Sequence, residues 1–300
     1  MRFAVVPATG IGDALIMLIA SHHLRKQGHL VTTIHNKLPS FGRWLEKEHC
    51  SPWPKNDLDF LASFDAILLQ HDNTARAKTI VSLRKASYPV FVFYPTYCAA
   101  KHGPLSSFDY AFNHAHTMVE NCRLGAESLF GGCATAFNGL YPMPGLIHRK
   151  YPRRLLIHPM SADEHKNWPK HKFLELSRLL ERMQFHPLFI LSSTERQSWA
   201  NDAIETPTLE QLATAIYESD YFIGNDSGPG HIASYLSIPH LIIGADAKNM
   251  HLWRPGWHQG EIICPPEWIP NPKGLRLRKN KWGFFISTSS VLKRFKLIIK

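Results

Sequence analysis

Residues 226–231 read Asp-Ser-Gly-Pro-Gly-His, directly behind the apolar run "YFIG" and ahead of an amphipathic run that ends in Ile-Pro. These residue types suit an anion. Gly228 and Gly230 leave backbone N–H groups unobstructed, Ser227 adds a hydroxyl donor, and a helix starting here turns its positive end toward a phosphate. With Pro229 between the glycines, Asp226 at the strand terminus and His231 in the first helical turn are expected to project toward the same ligand. An ordinary strand-to-helix turn accounts for one acid or hydroxyl and one glycine, but not for the whole set.

A second glycine loop, "PATGIGDA", follows the apolar run "RFAVV". Gly10 and Gly12 are read as letting the backbone turn tightly and approach a ligand, and Asp13 opens the next helix. A dinucleotide fingerprint would place a third glycine three residues after Gly12, where Leu15 stands, so a dehydrogenase is disfavoured. Taken alone, Asp13 is a helix cap. At the mouth of an N-terminal domain facing the cleft that a second domain closes, the same carboxylate is placed to act as general base toward an acceptor hydroxyl.

Strand and helix signals alternate along the chain and supply the elements that hold these loops. "RFAVV", "LVTTIH", "DAILLQ" and "YPVFVFY" read as strands, with helices over 13–27, 41–49 and 73–86. Prolines, glycines and basic residues crowd 137–154, which reads as an interdomain linker. Beyond it come strand "RLLIHP", helix 171–184, strand "PLFIL", helix 209–219, strand "YFIG", helix 230–237 and strand "HLIIG". The last segment, "SSVLKRFKLIIK", has helical spacing with Leu292, Phe295 and Ile299 on one face. Such alternation implies parallel sheets wrapped by helices, in two units: 1–145, and 146–300 with the final helix free to pack back on the first unit.

At 300 residues, 44% apolar and 19% charged, the chain has the composition of a soluble globular protein. The apolar stretch after Met1 is broken by Pro7, Gly10, Gly12 and Asp13, which excludes a signal peptide or membrane span there. Five scattered cysteines without a C-x-x-C pair signal neither disulfides nor a zinc knuckle and fit a reducing cytoplasm. His22-His23 and "HAH" at 114–116 lack a neighbouring ligand cluster, so no metal site is expected. The net charge of +10 is concentrated at the end: 268–300 holds no Asp or Glu, against Lys273, Arg276, Arg278, Lys279, Lys281, Lys293, Arg294, Lys296 and Lys300. A surface of that kind attracts anionic lipid or a phosphorylated glycolipid, or is a solvated basic tail; nucleic acid is disfavoured for want of a binding motif.

Three segments in order carry a family resemblance: "VVPATGIGDALIMLIASHHLRK", "LIHPMSADEHKNWPKHKFLELSRLL" and "ESDYFIGNDSGPGHIASYLSIPHLIIG". They are similar to the Gly-x-Gly-Asp, Lys-x-Trp-Pro and Asp-Ser/Thr-Gly-Pro-x-His segments of glycosyltransferase family 9, the heptosyltransferases of the lipopolysaccharide inner core. The resemblance implies a GT-B fold, an α/β architecture of two Rossmann-like domains facing across a cleft. It implies inverting transfer from ADP-heptose to a Kdo-lipid A type acceptor, with no cofactor and no essential metal. Residue by residue it makes Asp13 the general base, Lys166 the phosphate-contacting lysine and Glu195 the adenosine-ribose carboxylate. Asp226, Ser227, Gly228 and His231 then hold the donor's sugar and diphosphate.

The chain departs from the family after its last strand, where "IGADAKNMHLWRPGW" replaces the usual Phe-Gly-Pro-Thr-x-Pro. The donor base and the acceptor therefore stay open. A GT-B enzyme using another nucleotide sugar, or a non-catalytic nucleotide-sugar-binding protein, are the alternatives. "DLD" at 57–59 resembles a metal-binding Asp-x-Asp but sits in a polar stretch before a helical run and is read as chance. The expected place of work is the cytoplasm, peripheral at the inner membrane through the basic C-terminal region.

Overall fold

The computed structural model describes residues 1–54, 57–86, 88–196, 199, 203–269 and 281–299. Lys273, Arg276, Arg278, Lys279 and Lys300 of the basic stretch lie outside them. The chain divides into two compact units, Met1–Tyr141 and Pro142–Lys300.

The first unit is built on strands β1 (Arg2–Val6), β2 (Leu30–Ile34), β3 (Cys50–Ser51), β4 (Ala66–Gln70), β5 (Val90–Tyr94) and β6 (Asp109–Ala111). All pairs are parallel, in the order β3-β2-β1-β4-β5-β6. Sheets of this kind are covered on both faces, which is why β4 is buried at every position. The Ile11–Lys26 helix is buried without a break from Ala14 to Ser21. It packs against β2 and the Met118–Phe130 helix, where Ser21 Oγ and Thr33 Oγ1 share a hydrogen bond of 2.7 Å.

The second unit repeats the plan with β7 (Tyr151–His158), β8 (His186–Leu191), β9 (Ala203–Glu205), β10 (Ser219–Asn225), β11 (His240–Ile243) and β12 (Glu261–Ile263). Their order is β12-β11-β10-β7-β8-β9, again all parallel. Its core joins Leu155, Ile157, Ile223 and Leu241 to Trp168, Phe173, Val291 and Phe295.

Each sheet has one place where strand order reverses. The first three strands of a unit run outward to one side and the fourth returns to the other side of the first. The reversal falls between β1 and β4 in the first unit and between β7 and β10 in the second. Loops leaving the carboxyl ends of two such strands part in opposite directions and open a crevice, the usual ligand position in open α/β sheets. Both glycine loops singled out in the sequence leave from strands at these reversals.

Several elements differ from expectation. Over 38–45 the chain forms a 3₁₀ helix broken at Gly42, because Pro39 and the glycine interrupt a regular α-helical ladder. The Pro-rich linker is shorter than its composition suggests. Asn138 is fully buried and donates from Nδ2 to Leu15 O at 3.1 Å, while β7 already begins at Tyr151. The final helix is Thr288–Phe295, so Ile299 lies beyond it. Its Phe295 is buried against Phe185 and Tyr221, inside the second unit, which accounts for the face left open to packing on the first. Asp57–Leu61, carrying "DLD", is helical.

Candidate functional site

In the first unit, Gly10 caps the Ile11–Lys26 helix and Asp13 stands in its first turn. Gln70, at the end of β4 and 1% exposed, reaches across the strand-order reversal. Its Nε2 donates to Asp13 Oδ1 at 2.6 Å, and its Oε1 accepts from Ala8 N–H at 3.1 Å. One buried amide therefore braces both the loop and the carboxylate. Gly10 has an ordinary extended conformation, φ −74° and ψ 144°, so the expected tight turn is not what requires a glycine. A Cβ there would lie 2.5 Å from Asp13 Oδ2, and the missing side chain is the space into which the carboxylate folds. Gly12 follows within the helix.

His35, 4% exposed, completes the support. Its Nδ1 accepts from Lys37 N–H at 3.3 Å, so Nε2 carries the proton and donates to Thr9 O at 3.1 Å. Burial lowers the His35 pKa against the opposing effect of the Thr9 bond, with Lys37 and Arg76 adding repulsion. The neutral ring is the one that holds the loop.

In the second unit, the loops after β7, β8 and β10 emerge from adjacent strands at one edge and carry the remaining predicted residues. Lys166 lies in a 3₁₀ turn, Glu164–Lys166, and its Nζ pairs with Asp226 Oδ2 at 2.9 Å. Glu195 lies in the Ser193–Arg196 turn. Its Oε2 accepts from Ser192 N–H and Oγ–H, both at 2.8 Å, and stands 3.6 Å from His158 Nε2. Burial alone would raise the Glu195 pKa; the His158 ring and the two Ser192 donors overcome it and bring it down to about 2. At 3.6 Å the His158 contact is electrostatic, so the Ser192 bonds are the firmer of these causes.

Ser227 is the N-cap residue of the Gly228–Tyr235 helix, yet its side chain makes no capping bond. Its hydroxyl instead lies 3.3 Å from His158 Nδ1 and 3.3 Å from Asn225 O. Of the two glycine donors expected here, Gly230 has its N–H taken by Ser227 O at 3.1 Å, and Pro229 between them has no N–H. Gly230 is therefore a packing residue and not an anion donor: a Cβ would sit 2.6 Å from Ile242 Cδ1 on β11. Gly228 stands at the first helical position, where a backbone N–H has no partner within the helix. His231 is 6% exposed, with its ring edge-on to Trp257 and no hydrogen-bond partner at Nδ1. Burial drives its pKa down to about 4 against the opposing pull of Asp226, with His240 and Lys166 adding repulsion.

Sequence reasoning missed the groups that position this set. Asn225, fully buried at the end of β10, accepts Trp168 N–H at 3.1 Å and donates to Pro159 O at 2.5 Å and Asn167 Oδ1 at 3.3 Å. It staples the Lys166 loop to the strand that carries Asp226. A strap near the C-terminus, Trp282–Phe285, closes over the same loop. Trp282 Nε1 donates to His165 O at 2.6 Å, and Trp168 Nε1 to Ile286 O at 3.1 Å. Lys172 Nζ donates to the carbonyls of Gly283, Phe284 and Ile286. Only the "YFIGND" run offered a sequence signal for Asn225; the strap had none.

Among the described residues no group of three or more His, Cys, Asp or Glu is arranged to hold a metal ion, and no helix is long and apolar enough to cross a membrane. The second unit thus gathers a lysine, a hydroxyl, a helix start and an ionised carboxylate, a set able to hold the phosphates and a hydroxyl-bearing part of a nucleotide. The first presents one braced carboxylate.

Known proteins resemble the chain on these same elements. Over 156 residues it is 30% identical to lipopolysaccharide heptosyltransferase 1 of Campylobacter coli, covering 46% of this chain and 44% of that protein, so the match spans less than half of the curated relative's length. Among solved structures, the E. coli ADP-heptose lps heptosyltransferase II superposes with a TM-score of 0.70 at 13% identity, covering 99% of this chain and 98% of that one. The E. coli heptosyltransferase WaaC, solved with ADP, gives 0.69 at 14% identity with both chains fully covered. These likenesses agree with two parallel-sheet α/β units and give the fold as GT-B. The family model for glycosyltransferase family 9 (heptosyltransferase) matches 144–269, which takes in Lys166, Glu195, Asp226, Ser227 and His231. That match falls wholly within the second unit.

Proposed function

We propose that the protein is an inverting glycosyltransferase that moves a heptose from ADP-heptose to a lipopolysaccharide inner-core acceptor of the Kdo-lipid A type. The observation that carries this reading is the set at the second unit's strand-order reversal: Lys166, Ser227 and Gly228 beside an ionised Glu195, inside the segment that matches the family.

Asp13 takes the proton of the acceptor hydroxyl as its oxygen attacks the anomeric carbon, and the bond from that carbon to the diphosphate oxygen breaks. The departing diphosphate gains negative charge. Lys166 Nζ, Ser227 Oγ–H and Gly228 N–H receive it, and Asp226 holds the lysine in register until then. Glu195, ionised across the physiological range, accepts hydrogen bonds from the adenosine ribose. Gln70 keeps Asp13 oriented by donating to one of its oxygens. The reaction uses no cofactor.

The basic residues toward the C-terminus draw the protein to anionic lipid at the cytoplasmic face of the inner membrane, where a glycolipid acceptor would be met. Sedimentation with vesicles containing anionic lipid, expected to fall as salt rises, tests this.

The decisive experiment incubates purified protein with ADP-heptose and a Kdo-lipid A acceptor, then follows ADP release and the configuration of the new linkage. Transfer with inversion is expected. A thermal-shift panel that responds to UDP or GDP in place of ADP overturns the donor assignment, and binding without turnover overturns catalysis.

A further inference from the structure

His158 has no role in the reading above, yet it lies between two residues that do. It ends β7 at the strand-order reversal, is 6% exposed, and sits 3.3 Å through Nδ1 from Ser227 Oγ and 3.6 Å through Nε2 from Glu195 Oε2. The chemistry of those neighbours fixes its proton. Glu195 is a carboxylate that only accepts, so the nitrogen facing it must carry hydrogen; two lone-pair surfaces there would repel. In a neutral ring Nδ1 is then an acceptor, and the Ser227 hydroxyl, which also lies 3.3 Å from Asn225 O, can give it its proton.

An anion changes that arrangement. Ser227 can donate to a phosphate oxygen only by turning its one proton away from Nδ1, which leaves a buried acceptor facing an oxygen lone pair. A buried polar atom left unsatisfied is costly. Adding a proton at Nδ1 removes the cost: the imidazolium donates Nδ1–H to Ser227 Oγ and Nε2–H to Glu195, and Ser227 donates its own proton to the ligand. The incoming negative charge stabilises the new positive one. Of the other charged groups at this edge, Lys166 is paired with Asp226 until the anion arrives, and His231 is held neutral by burial.

We propose that His158 is a positioning residue which takes up a proton from solvent when a diphosphate binds at Ser227, and so links the diphosphate contact to the Glu195 carboxylate. The inference rests on the donor-site reading above. No bond to the ligand forms or breaks in this step; one proton moves from buffer to Nδ1.

Calorimetry with ADP-glucose tests it, since a fully esterified diphosphate does not itself titrate near neutrality. Binding heats measured in phosphate and in Tris should differ by an uptake approaching about one proton per molecule bound, and affinity should weaken by up to about tenfold per pH unit through the range of uptake. Ser227→Ala and His158→Asn should abolish the uptake, counted per molecule of ADP-glucose bound whatever the affinity, and His231→Asn should retain it. Equal heats in the two buffers overturn the proposal, as does uptake that survives His158→Asn or vanishes only in His231→Asn. Should His158→Asn not fold, Ser227→Ala decides, because it removes the hydroxyl through which the ring senses the anion. If ADP-glucose does not bind the unaltered protein at all, the donor-site reading fails and this proposal with it. Binding without proton uptake fails the proposal alone.

Discussion

The two units share one topology and place different side chains at its strand-order reversal. In the first, the loop after the central strand ends in a carboxylate, Asp13, which a buried neutral amide, Gln70, orients by a hydrogen bond. In the second, the loops at the equivalent place carry a lysine, a hydroxyl and a helix start; one acid there, Asp226, is tied to the lysine, and the other, Glu195, to Ser192. A basic oxygen suits removal of a proton; a donor-rich loop suits receipt of a phosphate. The scaffold decides where a ligand can sit, and a few loop residues decide the sign of what is held there.

The largest expected effect separates the two sides of that contrast. Asp13→Asn keeps the size of the side chain and its bond from Gln70, and removes the base. Turnover should fall by about 10²–10⁴-fold while ADP binding stays unchanged; equal losses in both would show that Asp13 serves binding. Next, Lys166→Met removes the cation and strands Asp226. The catalytic efficiency toward donor should drop by about 10²-fold, and much of the loss should be shared with Asp226→Asn in the double variant, since the two residues form one pair.

A glycine-to-alanine exchange in each loop gives a finer test. Gly230→Ala forces a Cβ against Ile242 and should cost about 1–3 kcal/mol of stability, read as a lowered denaturation midpoint. Gly10→Ala presses instead on the Asp13 carboxylate, which turns outward, so turnover should fall by more than stability does.

The smallest effect is on acid stability. His231 in the second unit, at about 4, and His35 in the first are both depressed from 6.5, so each favours folding above 6.5 and loses that contribution as pH falls toward its folded value. Glu195, depressed from 4.5 to about 2, contributes above 4.5 and loses it between those values. Denaturation midpoints across pH 7 to 2 should therefore show Glu195→Gln flattening only the limb below 4.5. A change of slope at pH 6 in that variant would contradict the assignment.

Much of this architecture is legible in the sequence, because the buried parallel strands are continuous apolar runs such as "RFAVV", "AILLQ" and "YFIG" that stand out from the helices between them. Helix 118–130 is not, since half its residues are polar and its start is set by Thr117 capping Glu120 N–H, a local bond with no long-range pattern. The residues carrying chemistry are legible as types: acid, lysine, hydroxyl and histidine at loop positions. Their supports are not. Gln70 and Asn225 are single polar residues closing apolar strands, and the partners that give them meaning lie 57 positions away in each case. The purposes of Gly10 and Gly230 also depend on what lies opposite, a carboxylate in one case and an isoleucine in the other.

The strap formed by Trp282 and its neighbours has a consequence for synthesis. A chain leaving the ribosome completes the strands and buried amide around Asp13 once its first half has emerged, and that unit can close while the rest is still being made. The Lys166 turn has no such independence: the indole that grips His165 and the carbonyls that grip Lys172 are translated more than a hundred residues later. The half that carries Asp13 can thus be ready early, whereas the half that carries Lys166 waits for partners made more than a hundred positions later.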